Sequence, residues 1–271
     1  MRVDMTVISG IALGLFAVII GFVLGGGSLG ALVEGTSALI VFGGTIGATT
    51  VSSSFGDIRR LPYFLTMAFT VQRMDPLPLI DDLCRYVDTI RKGKSLLPLE
   101  QLAKEPQNDA FMQMALRRIA SNTFDLEELE AKVLAEHDSD QRGVQLFETA
   151  GGYAPTMGIA GTVMGLIHVL GSLNGGATAL AASIGMAFTA TLYGVGSANL
   201  FWLPVSANLA SKAKQRLLLR EIQMDGLAWL AEKNVAPASQ LRSKLLDYVQ
   251  TSLGTRLAIE PHSAAAKSQS H

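Results

Sequence analysis

Residues 149–211 read TAGGYAPTMGIAGTVMGLIHVLGSLNGGATALAASIGMAFTATLYGVGSANLFWLPVSANLAS, and these 63 positions hold no Asp, Glu, Lys or Arg. Glu148 and Lys212 bound the tract. A water-facing surface of this length would carry charge, whereas a helix crossing a bilayer needs about 20 mostly apolar residues and tolerates few ionised ones. The tract therefore divides at residues 172–176 (SLNGG) into two spans, about 149–171 and 177–204. The same pattern holds at the start of the chain, where Glu34 is the only charged residue between Asp4 and Asp57. Residues 7–26 (VISGIALGLFAVIIGFVLGG) form one span, and 36–54 a second whose Ser, Thr and Gly content suits burial among helices. Four spans in two hairpins imply an all-α, polytopic membrane fold.

Charge placement orients the hairpins. Of 22 Lys and Arg, 12 lie in 54–148 and 9 from Lys212 onward, while the connectors 27–35 and 172–176 have none. The positive-inside rule puts both termini and the middle segment in the cytoplasm. The expected organisation is a membrane hairpin at 1–54, a helical cytoplasmic domain at 55–148, a second hairpin at 149–204 and a cytoplasmic helical tail at 205–271. The last residues (PHSAAAKSQSH) are small and polar, as in disordered termini. The middle segment carries a net charge of −4 and the tail +4.

Helical periodicity marks the middle segment. Leu79, Leu83, Tyr86, Val87 and Ile90 share one face, and Phe111, Met112, Ala115, Leu116 and Ile119 repeat the pattern. Asp125 with Glu128 forms an N-cap pair opening a helix through Leu126, Leu129 and Val133. Only Gly143 interrupts that helix before Glu148, so it is expected to run on into the third span. Beyond Pro204 the tail repeats Leu209, Leu217, Ile222, Leu227 and Leu230.

Several function classes fall away. A net charge of −1 offers no field for nucleic acid. One cysteine, Cys84, excludes an internal disulfide and multi-cysteine metal sites, and its place beside an apolar face makes it a core residue. Residues 25–30 (GGGSLG) match G-x-G-x-x-G in letters but follow a membrane helix rather than a strand, so they read as a turn. No catalytic set, cofactor motif or metal cluster is present, and the chain reads as a non-enzyme.

Small-xxx-small pairs, at Gly10/Gly14, Gly21/Gly25, Gly43/Gly47, Ala154/Gly158, Gly161/Gly165 and Ala190/Gly194, predict close helix packing within this chain or against another. Pro155 and Pro204 sit near the cytoplasmic ends of the third and fourth spans, where a lost hydrogen bond makes a kink or hinge. Thr162, two turns beyond Pro155, and Thr191 offer hydroxyl oxygens either to their own helix or to a passing ion. No span contains a mid-membrane carboxylate, which ion pathways ordinarily need. If the chain conducts, another chain supplies the acid.

Residues 150–166 (AGGYAPTMGIAGTVMGL), the following ATLYGVGSANLFWLPVSANLASK, GGSLGAL after the first span, and RKGKSLLPLE at 91–100 together resemble the motility protein A family (MotA/PomA). These are flagellar stator subunits within the MotA/TolQ/ExbB proton channel family. The resemblance covers about residues 5–250. It implies a pentameric ring in the bacterial inner membrane around a partner, motility protein B, whose single span brings the ion-carrying aspartate. It also implies a rotor switch protein of the FliG type as the target of torque. Pro155 and Pro204 match the family's functional prolines, and Glu100 its rotor-facing acid. The family's basic residue, usually Arg, falls on Lys92, with Arg91 adjacent. Thr162 and Thr191 resemble the sodium-driven members, so the transported ion is expected to be Na+ rather than H+. Two other readings remain: an energiser of the TolQ/ExbB type, and a non-conducting membrane scaffold.

Overall fold

A computed structural model of the chain describes residues 2–71, 75–93, 98–171, 177–232 and 236–253. The connector at 172–176, residues 94–97 of the 91–100 segment and the end of the tail lie outside the described residues. The chain opens with a two-residue strand, β1 (Arg2–Val3), then helix α1 (Met5–Leu24). A tight turn with Gly26 at φ +88° leads to a 3-10 turn, Leu29–Leu32. Next come α2 (Gly35–Ala38), a π turn (Leu39–Gly43) and α3 (Gly44–Ser52). Short helices α4 (Phe55–Arg59) and α5 (Leu61–Phe69) end at β2 (Thr70–Val71), which pairs antiparallel with β1. Then follow α6 (Pro76–Gly93), α7 (Pro98–Leu102), α8 (Ala110–Ala120), the 46-residue α9 (Leu126–Gly171) and α10 (Ala177–Ser197). A second π turn (Ala198–Trp202), α11 (Leu203–Ala231) and α12 (Ala238–Leu253) are the last of the described elements.

The architecture is all-α apart from the two-residue ladder. Among the described residues three stretches are long and apolar enough to cross a membrane: Met5–Leu24, Leu29–Ser52 and Leu126–Gly171. In α1 no residue is buried, and Leu13, Phe16 and Leu24 stand largely exposed. In water such a helix would leave its whole apolar surface hydrated, at about 25 cal/mol per Å². In hydrocarbon that surface meets its own kind. Helix α9 continues unbroken through Gly143 into the apolar stretch, as its uninterrupted pattern predicts. Its start is capped as expected, with Asp125 Oδ1 accepting from the backbone of Glu127 at 3.0 Å.

The contacts divide the chain into two units, one of 1–73 with 133–216 and the other of 74–132 with 217–271. The first unit has a core in which Phe64, Met67 and Ala68 of α5 pack with Val144, Leu146 and Phe147 of α9 and with Val205 and Leu209 of α11. In the second unit α6 buries Ile80, Leu83, Cys84, Tyr86, Val87 and Ile90. The buried face is thus set by Ile80 in place of the half-buried Leu79. Helix α12, unread in the sequence, buries Leu241, Leu245 and Val249 at i, i+4, i+8 and packs on α6.

Candidate functional site

The apolar half of α9 and helix α10 approach closely enough to bring backbones into contact. A Cβ on Gly194 would lie 2.6 Å from the carbonyl oxygen of Ala154, and one on Gly165 would lie 2.8 Å from the Ala187 Cβ. The small residues at 154, 158, 161, 165, 190 and 194 are therefore used within this chain. In α1, Gly14 meets the Leu200 side chain at 2.7 Å from a built Cβ, whereas Gly10 and Gly21 have nothing within 4 Å.

Thr162 and Thr191 meet inside this contact, and their hydroxyls are hydrogen-bonded to each other. The Thr162 hydroxyl also lies 3.0 Å from the carbonyl oxygen of Gly158 in its own helix and 3.1 Å from that of Ala187 in α10. Both intrahelical back-bonding and a cross-helix pairing are realised at one side chain. Each hydroxyl has one proton and two lone pairs, so the cluster of two hydroxyls and two carbonyls holds more acceptors than protons. Such oxygens suit a hard cation that sheds water, yet they bring no formal charge. Among the described residues no group of three or more His, Cys, Asp or Glu could hold a metal. The neighbouring Thr189 hydroxyl lies 2.9 Å from the carbonyl oxygen of Gly185 and 3.3 Å from that of Ala31, so it braces the Leu29–Leu32 turn instead. Tyr193 does the same, donating to the carbonyl of Leu32 at 2.5 Å and accepting from the Glu34 backbone N–H at 3.1 Å.

The two prolines lie on the side of the cluster toward the long polar part of α9 and toward α11. Pro155 is half-buried inside α9, two turns from Thr162. Pro204 is the second residue of α11 and directly follows the Ala198–Trp202 π turn. The chain therefore changes winding between α10 and α11 instead of simply bending. Proline cannot donate to the ladder and its ring crowds the carbonyl four residues back; a π turn just before it widens the helix and relieves the crowding.

Arg91, Lys92 and Glu100 belong to the other unit. Arg91 and Lys92 end α6, and Glu100 lies on α7, where fully buried Leu99 anchors the helix and leaves Glu100 exposed. All three are exposed, and among the described residues none of them forms an ion pair. The end of α7 is fastened from α6. Arg85 forks onto both oxygens of Glu105, at 2.9 and 2.6 Å, and holds that carboxyl below its usual range. The Tyr86 hydroxyl lies 3.1 Å from Glu105 and 3.0 Å from Asn108, and burial pushes its phenol up to about 12. Asn108 in turn donates to the carbonyl of Leu102 at 2.7 Å. Cys84 is buried with its thiol toward the carbonyl of Ala238, and burial raises it away from the reactive thiolate, as befits a core residue.

The chain is 30% identical over 249 residues to motility protein A of Bacillus subtilis, covering 91% of each. It belongs to the motility protein A family. Residues 8–95 match the motility protein A N-terminal model, and residues 103–222 match the MotA/TolQ/ExbB proton channel family, which is a channel family and not an enzyme class. The chemotaxis protein PomA of Vibrio alginolyticus is 29% identical over 228 residues, covering 83% of this chain and 87% of that one. The fold is similar to a chain of the flagellar MotAB stator complex from Bacillus subtilis, with a TM-score of 0.82 and 30% identity over 93% of this chain and 99% of that chain.

Proposed function

We propose that this motility protein A family member is an ion-channel subunit of a flagellar stator, which couples cation flow across the inner membrane to torque on the rotor. The observation that carries the reading is the Thr162–Thr191 oxygen cluster, set in a charge-free helix contact with no carboxylate of its own. A neutral oxygen cage can strip water from a cation but cannot balance its charge. It becomes a pathway when an acidic group is brought alongside. A single-span motility protein B with a membrane aspartate, at the centre of a pentameric ring of this chain, supplies that group. The likeness to the MotAB complex of Bacillus subtilis supports such a partner.

In this reading α10 with its π turn is the fourth span, both termini are cytoplasmic, and Pro155 and Pro204 pass motion to the cytoplasmic helices. Arg91, Lys92 and Glu100 then push a rotor switch protein of the FliG type. The membrane potential provides about 2.3 kcal/mol per charge per 100 mV. Sodium is favoured because hydroxyls at both positions suit a dehydrated cation, whereas a proton needs no cage. The match of residues 8–95 to the motility protein A N-terminal model supports a stator over an energiser of the TolQ/ExbB type.

The test is motility complementation of a stator-deficient cell, with the partner co-expressed, under separate sodium and proton gradients. Swimming that needs external sodium and tolerates collapse of the pH gradient supports the full reading. Swimming maintained without sodium removes the sodium assignment. No swimming under either gradient, despite co-purification with an aspartate-bearing single-span partner, removes the stator reading.

A further inference from the structure

Lys212, the residue that ends the charge-free tract, is buried although it is a lysine. Its ammonium faces four oxygens from three parts of the chain. Asp4 Oδ2 lies at 3.1 Å, and the carbonyl oxygens of Met67, Ala68 and Thr70 at 3.2, 2.7 and 3.0 Å. An ammonium has three protons, so every one is used and one is shared. Asp4 is the N-cap residue of α1, and its backbone N–H bonds the carbonyl of Phe69 at 2.8 Å. Its carboxyl makes no capping bond and is given to Lys212, which holds it below the usual carboxylate range. Met67 and Ala68 lie in the last turn of α5, where free carbonyls and the helix dipole favour a cation. The β1–β2 ladder adds Arg2 opposite Val71 and Val3 opposite Thr70.

The position of this knot gives it a consequence. Lys212 lies two turns past Pro204 on the same helix, on the α11 side of the π turn. The root of α1, the end of α5 and α11 are joined below the hinge, whereas above it α1 meets the π turn through side-chain contact, Leu200 against Gly14. We propose that Lys212 is a positioning residue that makes the root of the first span, α5 and the post-hinge part of α11 one body, so that motion at Pro204 is carried to α1. This rests on the stator reading in which Pro204 is a hinge. A buried, fully bonded ion pair is a costly way to add stability but a specific way to fix register, because no shifted arrangement satisfies all four acceptors.

The experiment uses the full chain with its partner in motile cells. It compares Lys212→Met, Lys212→Arg and Asp4→Ala. Three quantities are read: membrane level of the partner-bound complex, ion flux through it, and stall torque of tethered cells. Lys212→Met is expected to keep complex level and flux within about twofold and to lose at least fivefold in torque per ion. Lys212→Arg, which keeps a cationic donor toward the same carbonyls, is expected to recover part of that loss. If Lys212→Met fails to accumulate, Asp4→Ala carries the test, since it leaves the lysine its three carbonyls and removes its side-chain link to the root of α1. Unchanged torque per ion in whichever of these two variants assembles overturns the proposal, as does a loss of torque fully matched by loss of flux. Failure of the wild-type chain to give flux or torque with its partner would instead overturn the stator reading.

Discussion

Gly194 lies so close to Ala154 that a methyl group on Gly194 would sit 2.6 Å from the Ala154 carbonyl oxygen. Backbone cannot swing aside as a side chain does, so Gly194→Ala must push α10 from α9 by several tenths of an ångström. Overpacking of this kind costs about 1–3 kcal/mol, and Gly194→Val costs more. Gly10→Ala, at a position with nothing within 4 Å, is the matched control and is expected to be neutral in this chain. Thermal unfolding of the detergent-solubilised protein checks the contrast; equal losses at the two positions would contradict it.

Thr162 and Thr191 share a hydrogen bond, but their contributions to structure and to ion handling separate. After Thr191→Ala, Thr162 still has the carbonyls of Gly158 and Ala187 within 3.1 Å, so it keeps a partner for its proton. The stability cost is expected to be at most about 1 kcal/mol, that of one net hydrogen bond. Thr162→Ala removes the oxygen shared by both helices and should weaken ion flux more. Swimming speed titrated against external sodium is the measurement. Both variants should need several-fold more sodium for half-maximal speed, and an unchanged sodium response in both would remove these hydroxyls from the pathway.

Tyr86 gives the second unit an alkaline sensitivity. Burial and the Glu105 carboxylate push its phenol from an ordinary 10 to about 12, so the folded chain holds the proton more tightly than the unfolded chain. The contribution to stability is whole below pH 10 and is lost as pH rises towards 12. The unfolding temperature of the wild-type protein should fall through that window, and Tyr86→Phe should flatten the fall. The same variant leaves the Asn108 carbonyl oxygen short of a donor and costs about 1–3 kcal/mol at neutral pH. Parallel pH curves for the two proteins would show that the phenol is not the group responsible.

What could be read without coordinates follows from how far each signal reaches along the chain. The apolar tracts, the uninterrupted α9, the Asp125 cap and the buried set from Phe111 to Ile119 are set within a few turns, and periodicity exposes them. Gly158, Gly161, Gly165, Ala190 and Gly194 declared a tight contact but not its partner, because spacing carries no address. The π turn between α10 and α11 was legible only as Pro204, since a kink and a change of winding begin from the same missing N–H. Lys212 gave no sign beyond closing the neutral tract: its four acceptors come from positions 4 and 67–70, and only folding brings them together. Helix α12 did carry a signal, the 241, 245, 249 spacing, which its polar surroundings masked.

Glu100 is exposed because its neighbour is not. Leu99 is fully buried and fixes the rotation of α7, and the Tyr86–Asn108–Leu102 chain of hydrogen bonds fixes its end, so the carboxylate is presented outward without an ion pair. A charge held this way contributes almost nothing to folding, since exposed charges are worth about 0–1 kcal/mol even when paired. Glu100→Lys is therefore expected to leave complex level and unfolding temperature unchanged. Against a rotor surface of fixed charge it turns attraction into repulsion, and torque should fall at least tenfold while ion flux continues. Reversing the charge opposite it on the rotor should restore torque in part, which a folding defect could not do. Loss of assembly in Glu100→Lys would instead make this carboxylate part of the fold, and undiminished torque would place the rotor contact elsewhere.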